Sequence, residues 1–255
     1  MVTRTASRPA GPAPEPRRPD RRWWEIALRF LPAAAFLATF GFFFVDKTDT
    51  ARTVFKSGRG LLTVAAIVLG YVVVAFALRR FVGWAWVAPV ALTVVVLVLA
   101  AWIVRPYYVD ETDNTRLVKG PVADASEVEP DAPATPDASA PPAPAGPVRV
   151  SSGTIEGIDH DASGTVSLIR NTDGTYVVRF EGFAIEGSPD PIVYLIQGDD
   201  RENPGGVNLG ALRGNQGDAS DYAVPAGTEP GPSWTVLVWC GQFAVPIANA
   251  TQVAA

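Results

Sequence analysis

Hydrophobic positions fall into two patterns along this chain. Before Pro106 they run in long unbroken stretches, Ile26–Val45, Leu61–Leu78 and Phe81–Val104. After Val148 they alternate with polar positions at period two, in short runs separated by turn residues. A membrane-crossing helix needs about 20 apolar residues to traverse roughly 30 Å of hydrocarbon. The first stretch reaches that length only if Arg29 snorkels to the interface; the second is slightly short but uncharged, and the third is ample. The pattern predicts three transmembrane helices, 26–45, 61–78 and 81–104, within an anchor covering 23–105. The first stretch starts late, is long for a signal peptide and lacks a clean small-x-small site, so it reads as a retained helix.

The residues between and around these stretches suggest an orientation. Residues 1–22 are rich in Pro, Ala and Arg and read as a disordered tail. Arg4, Arg8, Arg17, Arg18, Arg21 and Arg22, with the Arg79–Arg80 turn, place the tail and that turn on the cytoplasmic side by the positive-inside rule. Lys47, Arg52, Lys56 and Arg59 in the first loop pull the other way, tempered by Asp46 and Asp49. Trp23, Trp24, Trp84, Trp86, Tyr107 and Tyr108 lie near segment ends, where amphipathic aromatics favour the headgroup layer. Three crossings from an inside N-terminus make a multi-pass protein of the cell membrane, with the lipid bilayer as partner and the C-terminal region outside the cytoplasm. No ionisable residue stands mid-span, so the helices predict an anchor rather than an ion pathway.

Residues 106–147 read as an acidic linker built around EPDAPATPDASAPPAPAGP, a composition that favours extended, semi-rigid backbone. From 148 to 255 the pattern predicts an all-β sandwich or barrel-like domain. Thr175–Phe183 mixes alternation with aromatics, and Asn171–Gly174 before it carries an Asp-Gly hairpin signal. Ile192–Gln197 and Trp234–Cys240 are nearly continuous apolar runs, as expected of strands buried on both faces.

Composition narrows the chemistry. A net charge of -5 without a basic stripe argues against a nucleic-acid partner. The chain holds one cysteine, Cys240, and one histidine, His160, which exclude an internal disulfide and a zinc site of several Cys and His. Cys240 ends the WTVLVWC run on the same face as Trp234, Val236 and Val238. It is either a small buried hydrophobe or a redox thiol or ligand, since an unpaired cysteine outside the cytoplasm meets oxidants. His160, in GIDHDASG, has the setting of a turn residue; were it to meet Cys240, it would lower the thiol pKa or complete a ligand pair for iron. Asp199, Asp200 and Glu202 lie in a GDDRENPGG loop without the spacing of a calcium loop.

The ordered elements of the C-terminal part then point to a family. His160, Ser163 and Gly164 form an HxxSG turn; Pro189 and Asp190 precede a strand with Val193, Tyr194 and Leu195. LGxLxGNxGD follows over Leu209–Asp218, and LxWCxxFxVP is carried by Leu237, Trp239, Cys240, Phe243, Val245 and Pro246. From about Val148 to Ala250 this order resembles the electron-transfer DM-thirteen domain. The resemblance implies a small β domain whose characteristic cysteine, here Cys240, serves as a redox centre, with His160 as a candidate second ligand. Haem or a metal is a possible cofactor under it, and the electron donor would be another redox or envelope protein, because this chain has no companion haem domain. The sequence departs from the family pattern at Ser188, inserted in GSPDP, and at the closing PIANATQ; neither is expected to touch Cys240 or His160. The rival reading is a non-catalytic binding or envelope-interaction module with Cys240 packed in its core.

Overall fold

The computed structural model describes residues 22–81, 87–125, 146–199, 202–229 and 233–254. Arg4, Arg8, Arg17, Arg18 and Arg21 of the tail, Trp84, Trp86, most of the Pro/Ala-rich stretch and Asp200 lie outside the described residues.

The long apolar stretches form helices, as their hydropathy dictates. They are α1 (Arg22–Asp46), α3 (Gly58–Phe81) and α4 (Val87–Val104), with a 3-10 turn at Arg105–Tyr107 after the last. Among the described residues two segments are long and apolar enough to cross a membrane, Gly58–Ala77 and Pro89–Tyr107. Of the three expected crossing helices, the third, at α1, is not shown. The apolar part of α1, Phe30–Asp46, is shorter, because Glu25 and Arg29 break the apolar run at its start. Leu62, Leu69, Phe76, Val98 and Trp102 on α3 and α4 are exposed, an arrangement far more apolar than an ordinary water-facing surface. Arg79 and Arg80 lie in the last turn of α3 rather than in a turn between helices, where their charge suits the negative end of the helix dipole.

The first loop holds an additional helix, α2 (Thr48–Lys56). It carries Asp49 in its first turn and Lys56 in its last, and Arg52 pairs with Asp49 at 3.3 Å one turn back. Its inner face buries Ala51 and Thr53. A window of nine residues between two apolar stretches is too short for its period to stand out in the sequence.

The C-terminal region is all β, as expected. Its strands are β1 (Ala123–Asp124), β2 (Val148–Thr154), β3 (Glu156–Gly157), β4 (Ala162–Arg170), β5 (Tyr176–Ile185), β6 (Pro191–Gln197), β7 (Val207–Ala211), β8 (Gln216–Ala223), β9 (Trp234–Cys240) and β10 (Val245–Ala254). They run in the order β7-β6-β9-β10-β2-β4-β5-β8, with β1 parallel to β2 and β3 against β10. Strand β10 pairs with β9 through Gln252 and with β2 at Val253 and Ala254, so one long strand joins two halves of a sandwich. Between them lies a core of Val166, Leu168, Val178 and Phe180 from one half and Val193, Leu195, Val236, Val238 and Ile247 from the other. Asn171–Gly174 makes the predicted hairpin turn: the Asn171 and Gly174 N–H groups donate to Thr175 and Asn171 carbonyls, and Asp173 accepts from Thr175. Strand β9 is buried on both faces from Trp234 to Val238.

A strap of residues 111–118, in the segment expected as linker, packs on this sandwich. Asp113 N–H donates to Gln216 O at 3.0 Å, Asp221 N–H donates to Thr115 O at 2.8 Å, and the Asn114 side chain accepts from Asp218 and Ala219. This covers the outer edge of β8, which would otherwise present unpaired backbone groups. The strap passes so close to Gly217 that a Cβ there would overlap the Asp113 carbonyl oxygen. Beneath it lies a buried ion pair. Asp221 accepts Arg179 Nε at 2.6 Å and Nη2 at 2.9 Å, and also the N–H groups of Leu117 at 2.7 Å and Val118 at 3.0 Å. Burial opposes the charge on Asp221, but Arg179 and these N–H donors outweigh it and hold the carboxyl below its usual range.

Candidate thiol site at the helical end of the sandwich

Cys240 is the last residue of β9, between Pro191 of β6 and Val245 of β10, and is 1% exposed. A tight turn, Gly241–Ala244, returns the chain into β10 and closes with Ala244 N–H donating to Cys240 O at 2.9 Å. Ser188 is buried and its hydroxyl has no hydrogen-bond partner. Burial pushes the thiol above its usual range; the Phe243 N–H, the Ser188 hydroxyl and the Gln242 N–H pull it back, and the Asp190 carboxylate adds to the rise. The net direction is upward, away from the lowered pKa that marks a reactive thiolate.

Ser188 is the residue that departs from the family pattern, and it was not expected to touch the cysteine. It does so because Gly187–Asp190 leads into β6, whose first residue, Pro191, is the ladder neighbour of Cys240. Two further participants come from the helical region and carry no signal in the local sequence. Tyr107 lies within electrostatic reach of the thiol and packs in a small apolar cluster with Phe43 and Ala51, its ring 5.0 Å from that of Phe43. Ser57 donates to Phe243 O at 2.7 Å.

His160 and Cys240 are not brought together. The imidazole Nδ1 sits 2.8 Å from Ile158 O, and the ring borders a polar cleft of about 310 Å³ with Asp46, Lys47, Asp49, Asp161 and Glu186. His160 is absent from the groups acting on the thiol. Its neighbour Asp159, in the left-handed backbone region at φ 53, instead receives Thr53 at 2.7 Å and Lys56 at 2.8 Å from α2. Asp199 accepts the Ser233 hydroxyl. Among the described residues no three His, Cys, Asp or Glu side chains converge as a metal site.

Fold and site together define a small antiparallel β sandwich with one enclosed thiol, seated on an apolar helical region. Residues 154–251 match the family described as Electron transfer DM13, so the resemblance lies in the C-terminal β region. The match takes in Cys240 and His160 but excludes the helices, the strap and nearly all of β2. Neither a curated protein nor a solved structure matches the chain.

Proposed function

We propose that this protein holds an electron-transfer-related β domain at the outer face of a membrane, with Cys240 as its redox group. The observation that carries the reading is the family match over residues 154–251, which contains Cys240; the neighbouring Phe243 and Gln242 N–H groups and the Ser188 hydroxyl draw the thiol pKa down against its burial. Hydrogen bonds to sulfur are a recognised means of tuning its redox behaviour. The electron partner is a separate redox or envelope protein. A redox titration of the full chain in lipid nanodiscs, followed by intact mass and tryptophan fluorescence, tests this. A potential-dependent change that is lost in Cys240→Ala is expected; identical behaviour of the two proteins would sink the reading. Burial of the thiol supports the second reading, a binding module in which Cys240 only fills the core, and that outcome would establish it.

The orientation has its own support. Asp46, Gly58 and Tyr107 end or begin helices on the side where the sandwich lies, so passage through α1, α3 and α4 puts Arg22 and Arg80 on the opposite side. Two of the four cations of the first loop, which oppose this orientation by sign, pair with the domain: Lys47 with Glu186 at 3.1 Å and Lys56 with Asp159 at 2.8 Å. Protease added to intact cells is expected to cut within 126–145; protection there, with cleavage only after lysis, would reverse the assignment.

A further inference from the structure

The segments that flank Cys240 are tied to the helical region. Phe243 stands in the Gly241–Ala244 turn that follows Cys240, and its carbonyl accepts from Ser57, just before α3. Ser188 follows Gly187, where a Cβ would overlap the carbonyl oxygen of Pro106. The 3-10 turn therefore lies directly on the loop that carries the hydroxyl. Tyr107, from the same turn, is buried with Phe43 and Ala51, and Val64 of α3 packs against the sandwich core that contains Cys240.

The seam that holds this closure differs in kind from the core beside it. Its named contacts are the Lys47–Glu186 and Lys56–Asp159 ion pairs and the Thr53–Asp159 and Ser57–Phe243 hydrogen bonds. Polar seams of this sort open at lower free energy than an apolar core unfolds. The strap from Glu111 onward stays on the sandwich, so the chain between Val104 and Asp110 is left as the place for a hinge.

We propose that the helical region is a lid on Cys240, and that the thiol becomes accessible when the folded sandwich lifts from its anchor. Lifting takes Pro106 off Gly187 and Ser57 off the Gly241–Ala244 turn, and admits water and a partner to the sulfur. The proposal holds whether or not the sulfur carries electrons, and its test needs no redox activity.

The test is the maleimide-labelling rate of Cys240 in the full chain in nanodiscs, beside hydrogen exchange of the β5 amides as the measure of unfolding. Gly187→Ala adds only a methyl group, directed at the Pro106 carbonyl and placed where the backbone accepts any residue. It is expected to raise labelling about tenfold, the equivalent of weakening the seam by ~1.4 kcal/mol, with β5 exchange unchanged. Gly205→Ala, which meets open space, is the control and should change nothing. Lys47→Glu should accelerate labelling, adding Glu186→Lys should restore it, and raised salt should act in the same direction as Lys47→Glu. Labelling that keeps pace with β5 exchange in every variant and at every salt concentration would overturn the lid, as would an equal acceleration by Gly205→Ala.

Discussion

Replacing Asp221 by Ala is expected to destabilise the β domain by about 3–5 kcal/mol, the range found when one partner of a buried ion pair is removed. Asp221 is fully buried and Arg179 nearly so, and the substitution leaves the guanidinium with only the Val118 carbonyl at 3.2 Å as a named partner. It also strips the Leu117 and Val118 N–H groups of their acceptor. A loss of this size is a large part of the total stability of an ordinary domain. Urea unfolding followed by tryptophan fluorescence measures it; a change below ~1 kcal/mol would show that Asp221 does not organise the seam between strap and sandwich. The same residue predicts an acid response. Its folded carboxyl titrates below the unfolded value of about 3.9, so its contribution is complete above that pH and is lost as the pH falls through it toward the folded value. Asp221→Asn should therefore be less stable at neutral pH and lose less stability on acidification than the parent.

The second large effect is expected from the point at which the domain is cut. A chain beginning at Val148 keeps every strand from β2 to β10 but lacks the strap. It forfeits two N–H bonds to a charged carboxylate, worth about 1.5–3 kcal/mol each, and the cover that Val118 provides for Ile169 and Val177. Burial of a valine contributes roughly 1.5 kcal/mol. Together these put the cut domain roughly 4.5–7.5 kcal/mol below one beginning at Val109, with the β8 edge open to association. Thermal melts and size-exclusion profiles of the two chains check this. Equal melting temperatures and two monomeric profiles would show that the strap is passive.

Much of this architecture was legible in the residues. Unbroken apolar stretches gave the helices, Asp173–Gly174 gave the hairpin, and the doubly buried character of WTVLVWC followed from its lack of alternation. At α1 the apolar part is shortened by charge early in the helix, so a third crossing is not shown by length and composition. The strap was hidden because its links to the sandwich are backbone hydrogen bonds and short polar side chains, which leave no hydrophobic period. Gly214 and Gly217 of the LGxLxGNxGD element were its trace, since both lie against Glu111–Asp113, but a glycine does not name its neighbour. Around Cys240 the sequence supplied the thiol but not its surroundings. His160 is bound into the polar cleft toward α2, while Ser188, Ser57 and Tyr107 reach the thiol or its turn from segments distant in the chain, through contacts that only the folded topology creates.

Strand β1 has a consequence for the Pro/Ala-rich stretch that follows it. Ala123 and Asp124 pair in parallel with Val148 and Arg149, and the Arg149 guanidinium grips Asp124 at 2.7 Å. The two ends of the stretch are thus fastened side by side on one sheet, and whatever contour length lies between them closes on itself. Lengthening or shortening residues 126–145 leaves the height of the domain above its helices unchanged. That height is fixed by the few residues between Val104 and the strap, and the most stalk-like sequence in the protein spaces nothing apart.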